Sequence, residues 1–167
     1  MMHLPTERCL NLRPLLLLSV LALTPALASA QSIEGVWRGT EIEVVGGPND
    51  GQVTQLTNPR LLIYTEGYFM WAFDTATEPR ALLPPPAETS DEEIGRVARQ
   101  YGSVAGTYIR DGATLEYNRL ISLVPNQMVP ENQPQVREIR TLTSNILETQ
   151  ATNAAGVTTI LKYTRVE

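Results

Sequence analysis

The stretch LLIYTEGYFMWAF, residues 61–73, carries five aromatic rings within ten positions: Tyr64, Tyr68, Phe69, Trp71 and Phe73. The whole chain holds ten Trp, Tyr and Phe side chains, so half of them fall in this one segment. RLLIYT and YFMWAF flank Glu66-Gly67 and read as two strands of a tight hairpin, because the glycine supplies the positive φ that a two-residue turn needs. In that hairpin Thr65 faces Tyr68, Tyr64 faces Phe69, Leu62 faces Trp71 and Arg60 faces Phe73, and directly opposed residues share a face. One face then carries Leu62, Tyr64, Phe69, Trp71 and Phe73; the other carries Leu61, Ile63, Tyr68, Met70 and Ala72. Both faces are apolar. One is expected to line the interior of a closed sheet, and the other to be covered by a helix, by the 74–90 connection or by a second subunit.

Outward from the hairpin the pattern repeats: short alternating runs separated by turn residues, the mark of antiparallel sheet. GVWRGTEIEVV (35–45) is a first strand, GGPNDG (46–51) a turn, and QVTQLT (52–57) a weak second strand. Residues 74–90 hold too many prolines for a central strand. Ser90 and Glu93 form a capping box, and Ile94, Val97, Ala98 and Tyr101 follow at helical spacing, which predicts one amphipathic helix around 91–101. VAGTYIR and ATLEYNRLISLV flank Asp111-Gly112, a second hairpin signal. QVREIRTLT, ILETQAT and VTTILKYTR complete a meander. About nine strands in one domain, 31–167, must hide their edges, and closure into an up-and-down barrel of about 8–10 strands does so most completely. The fold class is therefore all-β.

Residues 1–30 stand apart. Arg8 and Arg13 precede the apolar run LLLLSVLAL (15–23), which is followed by Pro25 and by ASA at 28–30. This is the pattern of a cleaved secretory signal, with cleavage after Ala30. The run is too short for the roughly 20 residues of a membrane span, and Cys9 precedes it, where no lipid anchor forms. A mature chain without a transmembrane span is expected, periplasmic or secreted.

With residues 1–30 set aside, 11 basic and 17 acidic side chains leave a net charge of −6 over 137 residues. Nucleic-acid binding, driven by clustered Lys and Arg, does not fit. The same cut removes Cys9 and His3, the only cysteine and histidine. Disulfides, a Cys nucleophile, a Ser-His-Asp triad and His-ligated metals or haem then fall away. No cofactor or metal is expected, and acid–base chemistry would rest on Asp, Glu, Tyr, Arg or Lys162.

Several segments resemble the bacterial and fungal lipocalin-like domain family, within the calycin group of antiparallel barrels. GVWRGTEIE (35–43) is similar to that family's opening strand, LLIYTEGYFMW to its central hairpin, and YGSVAGTYIRDG to its Gly-x-Tyr strand after the helix. ISLVPNQ followed by Arg137 is similar to its Ser-x-x-Pro loop and following arginine, and YTRVE to its closing strand. Tyr117 stands where many members carry a histidine, so an activity relying on that histidine is not expected. The resemblance implies a structural pair: Trp37 closing one barrel end beneath Arg165. First and last strands must also be antiparallel neighbours in a closed barrel, which brings these two to the same end, within about 6 Å.

Candidate ligand-binding residues are Leu62, Tyr64, Phe69, Trp71, Phe73, Tyr117, Arg119 and Arg137, with Glu41 and Glu43. The aromatic face is either plain core or the lining of a ligand cavity. Glu41 and Glu43 share a face with Trp37 and point inward if the strand carries no bulge; with a bulge or an open mouth they reach water. A buried carboxylate costs several kcal/mol unless paired. The reading is an exported barrel, monomer or homodimer, binding a small, largely apolar or aromatic molecule. One alternative, which the resemblance allows, is a cyclase, hydratase or isomerase with Glu43 as acid or base, Tyr117 as proton donor and Arg137 as electrostatic partner. Another is an envelope interaction subunit using the outer face of the 61–73 hairpin.

Overall fold

A computed structural model describes residues 31–78, 80 and 82–167. The expected signal segment, 1–30, lies outside the described residues. The strands are β1 (Gly35–Val45), β2 (Val53–Gln55), β3 (Arg60–Thr65), β4 (Tyr68–Asp74), β5 (Tyr101–Asp111), β6 (Thr114–Ser122), β7 (Gln135–Leu142), β8 (Ile146–Thr152) and β9 (Thr158–Arg165), with the helix α1 (Asp91–Ala98) between β4 and β5.

All neighbours pair antiparallel, and β1 pairs with β9 to close the sheet. The edge of β1 away from β9 is shared. Its first residues, 35–38, pair with β3, and residues 41–43 pair with the short β2. The barrel wall thus has eight strands, β1 and β3 to β9, and β2 is a flap on the second half of β1. The architecture is an all-β, up-and-down antiparallel barrel of eight strands with one helix.

The β3–β4 hairpin has the register expected from its sequence, Thr65 to Tyr68 through Arg60 to Phe73. Its turn places both Glu66 (φ 43°) and Gly67 (φ 82°) in the left-handed region, as a type I′ turn demands. α1 carries the capping box: Ser90 Oγ accepts the Glu93 N–H at 3.3 Å, and the Ser90 N–H donates to Glu93 Oε2 at 2.9 Å. The helix ends three residues before the expected limit, because Tyr101 pairs with Asp74 and is drawn into β5. None of its residues is buried. The outer face of the hairpin is accordingly left partly open, with Met70 46% exposed. Among the described residues no helix is long and apolar enough to cross a membrane.

Three bulges interrupt the ladders, at Thr40 in β1, between Arg119 and Ile121 in β6, and at Arg140 in β7. The first is held from both sides: Thr40 Oγ1 donates to the Lys162 carbonyl at 3.2 Å, and the Thr40 carbonyl accepts the Leu56 N–H at 2.8 Å. It falls where β1 changes partner from β3 to β2.

One end of the barrel is sealed. Trp37 is fully buried and its indole N–H donates to the Ile33 carbonyl at 2.8 Å. Arg165 covers the ring and donates to the carbonyls of Glu34 (2.5 Å), Ser32 (2.9 Å) and Ser144 (2.7 Å). Arg110 donates to the Gln31 carbonyl at 2.8 Å, which ties residues 31–34 across that end. Above this floor Leu115, Leu147, Tyr64, Tyr163 and Leu161 form one buried cluster with Trp37.

Candidate ligand-binding site

Above the floor the inward rings stack in order. The hydroxyls of Tyr64 and Tyr117 hydrogen-bond to each other in the interior. Tyr117 meets Phe69 edge-on at 4.7 Å between centroids, and Tyr64 meets Tyr108 at 4.8 Å. Offset and edge-on pairs of this kind add about 0.5–1.5 kcal/mol beyond area burial. Burial holds both phenols neutral well above the ordinary tyrosine range, with each partner shifting the other. Tyr163, fully enclosed, is pushed up to about 12 by burial, while nearby Arg137 and Arg60 pull it back. This layer is core.

The next layer is hollow. A narrow cavity of about 30 Å³ is lined by Leu62, Phe69, Trp71, Val104, Tyr117, Arg119, Gln135, Arg137, Thr149, Leu161 and Tyr163. It shares Trp71, Gln135, Arg137 and Leu161 with a wider vestibule of about 630 Å³ at the open end, which adds Ile42, Arg60 and the 131–134 loop. Small-molecule sites occupy roughly 300–1,000 Å³, so the vestibule has the size and the inner cavity is its narrow root. Phe73 stands beside Trp71 at 4.9 Å. Two glycines make the room: a Cβ on Gly102 would fall inside the Phe73 ring, and one on Gly39 would lie 2.8 Å from Cδ of Arg60.

Six of the candidate residues, Leu62, Phe69, Trp71, Tyr117, Arg119 and Arg137, therefore meet around one cavity. Tyr64 lies beneath it, and Phe73 lines neither it nor the vestibule but a neighbouring pocket of about 230 Å³ that shares Trp71, Val104 and Arg119 with the inner cavity. Glu41 and Glu43 do not join them. The extra residue at Thr40 reverses the alternation of β1, so Ile42 turns into the core and both glutamates turn out. Glu41 pairs with Lys162 at 2.5 Å on the outer surface, where its hydrogen bonds from Lys162 and Gln55 hold its carboxyl below the ordinary range. Glu43 also lies near Lys162, on that side of the wall. The trio drawn for acid–base chemistry, Glu43 with Tyr117 and Arg137, is thus split across the barrel wall.

What the sequence reading left out is Arg60. Its guanidinium carbon sits 4.8 Å from the Phe73 centroid and 5.4 Å from that of Trp71. Its pairing with Phe73 in the hairpin already placed it on the inward face, one step beyond Leu62. Tyr163 was legible by the same alternation, two residues before Arg165.

No family model matches the chain, and no curated protein matches it. Among solved structures, a lipocalin-like protein from Bacteroides uniformis ATCC 8492 superposes with a TM-score of 0.45 at 11% identity, over 77% of this chain and 96% of that one. An uncharacterized protein from Bacteroides eggerthii DSM 20697 superposes with a TM-score of 0.43 at 11% identity, over 78% of this chain and 98% of the other.

Proposed function

We propose that the chain is an exported binding protein that holds a small, largely apolar molecule at the open end of its barrel. The observation that carries this reading is the cavity rooted between Trp71, Phe69 and Leu62 and widening to about 630 Å³. Rings and aliphatic side chains supply contact area, and a few polar groups at the root supply orientation, the composition of small-molecule sites. The sealed end gives the site one entrance. Export rests on the signal pattern of residues 1–30 and is tested by N-terminal sequencing of the protein recovered from cells, which should begin at Gln31.

The neutral fluorophore N-phenyl-1-naphthylamine tests the binding itself. Titrated into the folded protein, it should brighten and saturate, and Trp71→Ala should weaken its uptake. Fluorescence no different from that in buffer would overturn the reading.

A further inference from the structure

The cavity is lined by cations without counter-charges. Arg60, Arg119 and Arg137 all point into the barrel, and among the described residues none of the three forms an ion pair; the ion pairs present are Arg80 with Asp74 and Lys162 with Glu41. Arg137 reaches only neutral acceptors, Thr149 Oγ1 at 3.3 Å and the Thr159 carbonyl at 3.5 Å. Arg119 donates to the Gln135 side chain, and Arg60 rests on the Trp71 and Phe73 rings. The inner cavity is lined by no carboxylate; Glu131, in the loop at the rim, is the one acid bordering the vestibule. A further donor is unsatisfied: the Trp71 indole N–H is buried and has no acceptor.

This is unusual on two counts. The chain outside residues 1–30 is acidic, yet three of its 11 cations border the inner cavity and its vestibule, Arg119 the first, Arg60 the second and Arg137 both. Like charges held close together and partly out of water destabilise the fold unless something compensates. Burial and mutual repulsion lower the proton affinity of Arg60 and Arg119, both with Arg137 among the causes. Guanidinium groups remain charged regardless, so the missing partner must be an anion.

Resting on the binding function proposed above, we infer that the ligand is an amphipathic carboxylate. Its carboxylate would sit at the narrow root against Arg119, Arg137 and the Trp71 N–H, and its apolar body would extend past Trp71, Leu161 and Arg60 into the vestibule. The planar fork of an arginine matches the two oxygens of a carboxylate, and the narrow root holds two such forks and no acid.

The test compares matched pairs by titration calorimetry on the folded chain: decanoate against 1-decanol, and 2-naphthoate against 2-naphthalenemethanol, with decyl phosphate as a third headgroup. The acids should bind about tenfold to a hundredfold more tightly than their alcohols, the range for a charged hydrogen-bonded partner. Arg119→Gln and Arg137→Gln should erase that preference by weakening the acids far more than the alcohols. Arg60→Gln, which breaks no hydrogen bond, should narrow it and serves as the variant least exposed to misfolding. Acids and alcohols binding equally would overturn the carboxylate inference and leave the apolar-binding reading standing. Tighter binding of decyl phosphate than of decanoate would overturn it in favour of another anion. Failure of all these ligands, together with failure of N-phenyl-1-naphthylamine, would overturn both.

Discussion

The guanidinium carbon of Arg165 lies 4.1 Å from the centre of the Trp37 ring, and the two residues are direct partners in the β1–β9 ladder. The contact joins the first strand of the barrel to the last, so it reports closure itself. Arg165 also gathers three carbonyls from segments on either side, which makes the cation the hub of the sealed end.

Trp37→Ala should therefore destabilise the protein by about 3–5 kcal/mol, the cost of deleting a large buried aromatic. Urea unfolding measures this. Arg165→Met, which keeps the stem but removes the donors, should cost less and should leave binding of the neutral fluorophore unchanged.

Alkaline pH should unfold the chain from the tyrosine layer. Tyr64, Tyr117 and Tyr163 have raised pKa values because burial disfavours the phenolate. The stabilisation is fully present below the unfolded-state value of about 10 and is lost as pH rises toward the folded value, which for Tyr163 is about 12. Each such tyrosine should cost about 1.4 kcal/mol per pH unit across that window. Melting temperatures read from pH 8 to 12 should be flat and then fall steeply, and Tyr163→Phe should soften the fall.

Glu66 occupies a left-handed position that favours Asn or Gly over a longer side chain. Its side chain accepts no bond in the turn; only its backbone N–H is used, donating to Glu34 Oε1 at 3.1 Å. Glu66→Asn should stabilise the hairpin by about 0.5–1 kcal/mol, visible as a higher urea midpoint with an unchanged slope.

Glu43→Gln should be silent in binding. Its carboxylate stands on the outer wall, and surface substitutions usually stay within about 0.5 kcal/mol. A loss of ligand affinity in this variant would place Glu43 inside and contradict the β1 register.

Arg137→Leu should raise the melting temperature while abolishing preference for acids. Removing one of three crowded cations relieves repulsion and desolvation, gaining about 1 kcal/mol, the pattern expected where stability is traded for function.

Much of this was legible in the residues. Glu66-Gly67 and the alternation on either side gave the hairpin register, and from it the inward set Leu62, Tyr64, Phe69, Trp71 and Phe73. Trp37 and Arg165 gave the closure. The helix limit was misread because Tyr101 fits both the helical spacing and the strand that captures it, and only pairing with Asp74 decides between them. Counting along β1 left the facing of Glu41 and Glu43 open, inward without a bulge and outward with one, and the bulge at Thr40 decides for outward. Gly39, a glycine inside a strand, is a weak bulge signal; the bulge falls at the handover from β3 to β2, a non-local feature that the sequence does not display. Arrangement of charge inside the barrel was thus beyond reach even though every arginine in it was visible.

Thr40 acts as a parity switch. Downstream of it, inside and outside exchange places along β1, so a sequence that alternates Glu-Ile-Glu-Val presents its aliphatic half to the cavity and its acidic half to water. Were β1 to run through Thr40 as a regular strand, with no bulge to absorb the extra residue, composition and net charge would be unchanged, yet two carboxylates would turn inward toward Arg60 and Arg137 and Ile42 and Val44 would be expelled. The pocket would become self-neutralised, with no electrostatic vacancy left for a ligand. Which molecules such a barrel can select is therefore governed by whether one extra residue is absorbed in a bulge, a property of how β1 passes from β3 to β2 rather than of the residue types along it.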